Sequence, residues 1–180
     1  MLKQTTQSTV VVSTAEAKAH MHVDHSFDDT EIDAYVRAAQ SMVEERTRRS
    51  FAGAVFVETS ASRCTVLGRI PITTVDSVKI NTTAGEPFST TLVVTDDYRL
   101  DLTTGEAVLV LETAVTFAEV EITWTAGSTG DLNMRDSLRH AVLLLAAAWY
   151  EAREGIVIGT ISGPLPLGVD ALCQMYASTN

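Results

Sequence analysis

The late segment from Arg135 to Glu154 constrains the fold more than any other part of the chain. It reads as a strong helix in which no residue from Ala141 to Tyr150 is charged, while Arg135, Asp136, Arg139, Glu151, Arg153 and Glu154 mark its two ends. A helix wetted along one side shows an apolar stripe with a polar back. This one is apolar all round, so it has to be enclosed by protein, either its own fold or neighbouring subunits. A coda with Pro and Gly runs from Gly163 to Gly168. A last piece then carries an apolar side made of Leu165, Leu167, Val169, Leu172, Met175 and Tyr176.

Ahead of that helix the pattern changes twice. Ser13 or Thr14 can cap a first short helix over Thr14–Met21, with Glu16 in its first turn. A connector from His22 to Phe27 ends at Asp28 and Asp29, and either carboxylate suits the positive end of a second helix. That helix is expected to reach about Arg48. Ile32, Tyr35, Val36, Ala39, Met42 and Val43 recur on one side at spacings of three and four, with Glu31, Asp33, Arg37, Gln40, Glu44 and Glu45 opposite. From about Ser50 to Ala126 the period drops to two. Val55–Val57, Arg63–Leu67, Ile72–Ile80, Thr91–Thr95, Tyr98–Leu102, Ala107–Leu111 and Thr116–Thr125 read as strands rich in Val, Ile and Thr. Val120, Ile122 and Trp124 alternate with polar residues, which predicts one buried and one wet face. Turn signals at Gly68, Gly85, Gly105 and Gly127 separate the runs, and short strands joined by tight turns pair antiparallel.

The fold class is therefore α+β: a small helical bundle, built on the long second helix and the late apolar helix, with an inserted antiparallel β region and a C-terminal arm. One domain is expected over 1–180, with a helical part at 13–49, the β insertion at 50–127, the core helix at 131–154 and the arm at 155–180. A chain of this length buries about 70% of its extended surface, so a core forms without disulfides. The first dozen residues and Ser178–Asn180 are expected to be poorly ordered.

Charge and composition exclude several functions. A net charge of −10 opposes binding to nucleic acid through phosphates, and Arg46, Arg48 and Arg49 are explained as cations at a helix C-terminus. Cys64 and Cys173 lie far apart without a C-x-x-C spacing, which suits two reduced thiols in a cytosolic product. Met1 to Val12 is polar and lacks the apolar stretch of a secretory leader, and the uncharged run in the late helix is half of a bilayer span, so no membrane is expected.

No site motif emerges. The densest cluster of potential ligands is His20, His22, Asp24, His25, Asp28 and Asp29, a set able to hold zinc if it converges. His20 and His22 are two apart and point to different faces, and Asp near a helix start has a capping role of its own. The preferred reading is a solvated connector. Asp96 and Asp97 diverge in an extended run, and Cys64 and Cys173 sit in segments of structural type. The chain contains no G-x-S-x-G, H-E-x-x-H, P-loop or G-x-G-x-x-G. No catalytic residue, metal or cofactor is expected. His140 reads as a helix–helix partner, and Trp124, Trp149 and Tyr150 as packing residues rather than a stacking platform for bases.

The order of seven motifs resembles the head–tail connector family of tailed bacteriophages, also called adaptor or head-completion proteins, and of phage-like gene transfer agents. The motifs begin with Thr14, Glu16, Lys18, Met21, Val23 and Asp24, followed by Asp28, Asp29 and Ile32 leading to Val43, Glu44, Thr47 and Arg49. Ile70, Pro71, Ile72, Val75, Ser77 and Val78 come next, then Tyr98 to Asp101, then Val120, Ile122, Trp124, Ala126 and Gly127. Leu138 and Ala141 open the helix that closes on Trp149, Tyr150, Glu151, Arg153 and Glu154. The last motif comprises Leu165, Pro166, Gly168, Val169, Ala171, Leu172 and Tyr176. One departure is the family's frequent Pro at the start of the late helix, where this chain has Asn133, Met134 and Arg135.

The resemblance implies a structural virion protein without enzymatic activity, located at the head–tail interface and assembled in the cytoplasm of a bacterial host. It implies a homo-oligomeric ring, commonly of twelve subunits, between the portal protein and a tail-side connector or tail terminator protein. DNA would pass through the lumen without specific binding. An acidic chain suits such a channel, because carboxylates repel phosphate; Glu31, Asp33, Glu44 and Glu45 are the candidate lining. Leu165, Leu167, Val169, Leu172, Met175 and Tyr176 are the candidate portal contact, carried on a projecting arm. Two other readings remain open here: another tail-completion or virion component, and a metal-dependent enzyme using the cluster from His20 to Asp29.

Overall fold

The computed structural model describes residues 1–6, 9–102, 107–127, 136–152 and 167–176. The chain divides into two compact units, one of 1–9 with 48–131, the other of 10–47 with 132–180. The first is the β region and the second the helical part, consistent with the expected α+β class.

The β unit contains β1 (Leu2–Gln4), β2 (Ala54–Ser60), β3 (Cys64–Val66), β4 (Ile72–Asn81), β5 (Thr90–Thr91), β6 (Tyr98–Asp101), β7 (Val108–Leu111) and β8 (Glu119–Ala126). They form a five-stranded sheet in the order β1-β2-β8-β4-β5 and a three-stranded sheet in the order β3-β7-β6. All the strand pairs are antiparallel, as the tight turns predict. β8 is the centre of the large sheet: Trp124 pairs with Phe56 on one side and Val75 on the other, and Ile122 with Glu58 and Val78. Its strict alternation of apolar and polar residues is reproduced as strict alternation of buried and half-buried side chains. One apolar cluster draws on both sheets, with Phe56, Val78, Ile122 and Trp124 from the large sheet and Leu109 and Leu111 from the small one.

Each of the seven strands read from the sequence is present, several of them shorter than their apolar runs. Thr91–Thr95 contracts to Thr90–Thr91 because Thr95 adopts a left-handed φ of 75° and turns the chain. The eighth strand, β1, corrects the expectation of a poorly ordered N-terminus. Leu2, Lys3 and Gln4 pair with Glu58, Val57 and Phe56, and farther along Val11 and Val12 are buried in the helical unit. A three-residue strand is too short to leave a periodic signal; the open edge of β2 supplies its hydrogen bonds.

Glu58 is out of keeping with its surroundings in this sheet. It shares a strand face with Phe56 and stands opposite Leu2 and Ile122, and its Oε2 is buried with no hydrogen-bond partner among the described residues. Burial pushes the carboxyl above its ordinary value of 4.5, and a bond from the Gly68 backbone and the charge of the N-terminus offset this only in part. A carboxyl whose pKa is raised by folding contributes stability that is fully present below its unfolded pKa and is lost as the pH rises through the folded one. Glu58→Gln removes the buried charge and should therefore stabilise the protein by about 1 kcal/mol at pH 7. Paired urea melts at pH 7 and pH 4 check this: the advantage of the variant should shrink toward zero at the lower pH.

The helical unit contains α1 (Thr14–Met21), α2 (Asp29–Thr47), α3 (Asp136–Glu151) and α4 (Leu167–Gln174). Ser13 is the N-cap of α1, its side chain accepting from the Glu16 backbone N–H, and His22 closes the helix in the left-handed region at φ 57°. α2 ends one residue earlier than expected, since Arg48 turns left-handed at φ 54°. α3 packs against α1, α2 and α4, burying Leu138, Ala141, Val142, Leu143, Leu145 and Ala146. The enclosure required by its apolar run is thus supplied largely by its own chain. Leu144 and the stretch from Ala147 to Tyr150 stay half-buried.

The buried stripe of α2 is Ile32, Val36, Ala39, Gln40, Val43, Glu44 and Thr47, which is rotated from the stripe read in the sequence. Met42 is exposed, whereas Gln40 and Glu44, expected on the wet side, are buried. Gln40 is retained in the interior because its Oε1 accepts the Val11 backbone N–H at 2.8 Å and its Nε2 donates to Glu44 at 3.5 Å. A buried polar side chain with partners is tolerated, and hydrophobicity alone does not reveal it.

Candidate interaction surfaces

Side chains that the sequence offered as ligands or capping groups serve to join helices. The guanidinium of Arg139 on α3 donates through Nε and Nη2 to the two carboxylate oxygens of Glu16 on α1, both at 2.5 Å. This planar two-point pairing is the geometry in which Arg outperforms Lys. The Arg139 hydrogen bond holds the Glu16 carboxyl below the usual carboxylate range. Lys18 on α1 reaches Asp29 at the start of α2 at 2.6 Å, and the Tyr150 hydroxyl on α3 donates to Asp28 at 2.7 Å. Arg46, near the end of α2, pairs with Asp170 on α4 at 2.8 Å, and Ser137 on α3 donates to the Tyr176 hydroxyl at 3.1 Å.

These contacts give several members of the His20 to Asp29 segment structural partners of their own. Asp28 and Asp29 are engaged by Tyr150 and Lys18, and His22 is a helix cap. Among the described residues no group of three or more His, Cys, Asp or Glu is placed to hold a metal ion. His25 instead lies beside the exposed Phe27 ring at 5.8 Å. His140 does meet another helix as expected, but through a ring contact with His20. Cys64 is exposed, Cys173 is buried, and both are free thiols. No described helix is long and apolar enough to cross a membrane.

The candidate lumen acids have different environments. Glu31 accepts from the Tyr35 hydroxyl, Asp33 pairs with Arg37 at 2.8 Å, and Glu45 is exposed. Glu44 is 9% exposed, so it does not belong to a wet face. The candidate arm is corrected too. α4 folds back on α2 and α3 with Val169 and Cys173 buried, so these residues complete the helical core rather than extend from it. Leu172 and Tyr176 are half-buried and Met175 is 72% exposed. Leu165 and the rest of 153–166 lie outside the described residues, as does the side chain of Leu167.

The molecule is thus an α+β protein made of a four-helix unit and a unit of two antiparallel sheets, with surfaces shaped by packing and ion pairs. This fold is similar to that of chains in solved particle structures. The chain is similar to one in the neck of an empty GTA particle computed with C6 symmetry, at 24% identity and a TM-score of 0.75, covering 100% of this chain and 96% of that one. It is equally similar to a chain in the virion of a native gene transfer agent (GTA) particle, at 24% identity, a TM-score of 0.75 and the same coverage. A third likeness, to a chain in the neck of a native GTA particle computed with C12 symmetry, has 25% identity, a TM-score of 0.75 and again 100% and 96% coverage. No family model matches the sequence, and no curated protein matches it.

Proposed function

We propose that this chain is a structural subunit of a virion neck: a head–tail connector that assembles into a ring, extends the DNA channel from the portal and receives the tail. The observation that carries this reading is the end-to-end likeness to a chain of the GTA neck, which spans 100% of this chain and 96% of that one. The order of the seven sequence motifs supports the same conclusion independently. A ring of identical subunits requires head-to-tail contacts that close on themselves. Twelve copies is the number we propose, in line with the C12 symmetry of that native neck.

Within this proposal Glu31, Asp33 and Glu45 remain the candidate channel-facing acids, and Glu44 is withdrawn because it is buried. The portal contact narrows to what α4 leaves open, chiefly Met175 with the accessible parts of Leu172 and Tyr176. Such an exposed apolar end fits a groove on a partner.

The test is co-expression of this chain with the portal protein of its own particle, followed by mass photometry and electron microscopy. The expected result is a cyclic ring of this chain capping the portal, which Met175→Glu weakens without loss of fold. A chain that stays monomeric beside its portal, or is located in the particles away from the head–tail junction, would overturn the reading. Location farther down the tail would favour a tail-completion role instead.

A further inference from the structure

The imidazoles of His20 on α1 and His140 on α3 meet edge to face, their ring centres 5.7 Å apart and their planes at 86°. They are 120 positions apart in sequence, and only the packing of α1 on α3 brings them together. We propose that this pair is a binding site for a divalent transition-metal ion of the zinc class, which clasps α1 to α3.

Imidazole nitrogen binds zinc at ~2.0–2.1 Å. Two imidazoles on one ion in a tetrahedral arrangement then have ring centres ~5–5.5 Å apart, from that bond length and the size of the ring. Ligation requires the rings to turn out of the edge-to-face arrangement so that one nitrogen of each faces a common point, with their centres drawn slightly closer than the observed 5.7 Å. Room for rotation exists, since His140 is exposed and His20 half-buried, and neither ring has a hydrogen-bond partner among the described residues. The backbones that carry them are already held. Glu16 lies one helical turn before His20, Arg139 is the neighbour of His140, and these two form the paired 2.5 Å bonds between the same helices. A site whose supports are fixed before the ligand arrives loses less ordering entropy on binding.

The donor set selects the metal. Two neutral nitrogen ligands suit Zn2+, Ni2+ or Cu2+ and not Mg2+ or Ca2+, which require oxygen. With no third His, Cys, Asp or Glu completing the group among the described residues, water fills the remaining positions. The site is therefore an open two-histidine clasp, distinct from the closed four-ligand kind that structural zinc sites use. The pair forms only when α1 packs on α3, so metal adds stability by mass action to the extent that it prefers the folded unit.

The test uses the full chain without a histidine tag, titrated with Zn2+ by calorimetry and melted with and without the metal. One ion per chain is expected, together with a rise in melting temperature that EDTA reverses. His20→Ala and His140→Ala should each weaken binding by about tenfold or more, equivalent to ~1.4 kcal/mol. The double variant His22→Ala/His25→Ala in the connector should bind as the parent does. Metal-free melts that match the parent confirm that each variant is folded; if His20→Ala is impaired, the exposed His140→Gln carries the test. Absence of saturable binding, binding unchanged by loss of His140, or loss of binding only in the connector variant would each overturn the proposal.

Discussion

Gly127→Ala should destabilise the protein by about 3–5 kcal/mol, combining the strain of a left-handed backbone with a steric overlap that the fold cannot relieve cheaply. Gly127 follows β8 at φ +96°, a region that L side chains rarely adopt. A Cβ built there lies 2.2 Å from the carbonyl oxygen of Ala52 and 2.6 Å from its carbonyl carbon. Both are backbone atoms, so no rotamer change makes room. The position is also held from both sides, with its N–H donating to the Pro71 carbonyl at 2.9 Å and its carbonyl accepting from the Thr73 hydroxyl. For a chain of this size the loss corresponds to a fall of about 10 °C or more in melting temperature. Gly85→Ala is the matched control. Gly85 has a similar φ of +83°, but nothing lies within 4 Å of its added Cβ. Its cost should be the strain alone, about 1–2 kcal/mol. Calorimetric melts of the two variants separate the terms; equal losses would show that the contact with Ala52 does not matter.

The sequence marked Gly127 only as the end of a strand, and this is typical of what it disclosed. Wherever burial follows local period, the reading was sound. α1 and α3 matched closely, and the seven strands from Ala54 to Ala126 were found because Val, Ile and Thr alternate there with polar residues. Contacts across long separations left no local trace. Nothing near Glu16 announces Arg139, and nothing near His20 announces His140, because only the packing of α1 on α3 brings these residues together. The errors in α2 have the same origin. Gln40 and Glu44 are polar by type, and what makes their burial tolerable includes the Val11 backbone N–H, 29 positions away from Gln40. The apolar side of α4 was recognised, but its destination was not. An amphipathic segment after a Pro/Gly coda serves equally as an arm for a partner or as a last helix for its own core, and Arg46–Asp170 and Val169 decide for the second. The candidate surfaces were the least legible, because side chains that meet across helices are joined by three-dimensional adjacency and not by a spaced motif.

Trp124→Ala should cost about 3–5 kcal/mol, the range for removing a fully buried large aromatic. Trp124 is 0% exposed and lies on β8, the central strand of the large sheet, with partners on both sides. Its indole is stacked against Phe56 with ring centres 5.9 Å apart and planes at 29°, and the Arg69 guanidinium lies over the Phe56 ring, also at 5.9 Å. The indole N–H donates to the Arg69 carbonyl at 3.4 Å, a long bond that contributes little beside the packing. Truncation therefore opens a cavity beneath Phe56 that the strand cannot collapse into without breaking its register with β2 and β4. Trp124→Phe restores much of the volume and should recover most of the stability, leaving a loss of about 1–2 kcal/mol. The two variants also separate packing from ligand stacking. Were the indole a platform for nucleic-acid bases, Trp124→Ala would leave the melting temperature unchanged and reduce binding to single-stranded DNA. Full burial predicts the opposite pair of results: a melting temperature lower by about 10 °C or more, with faster amide exchange through β2, β4 and β8, and no dependence of single-stranded DNA binding on the indole.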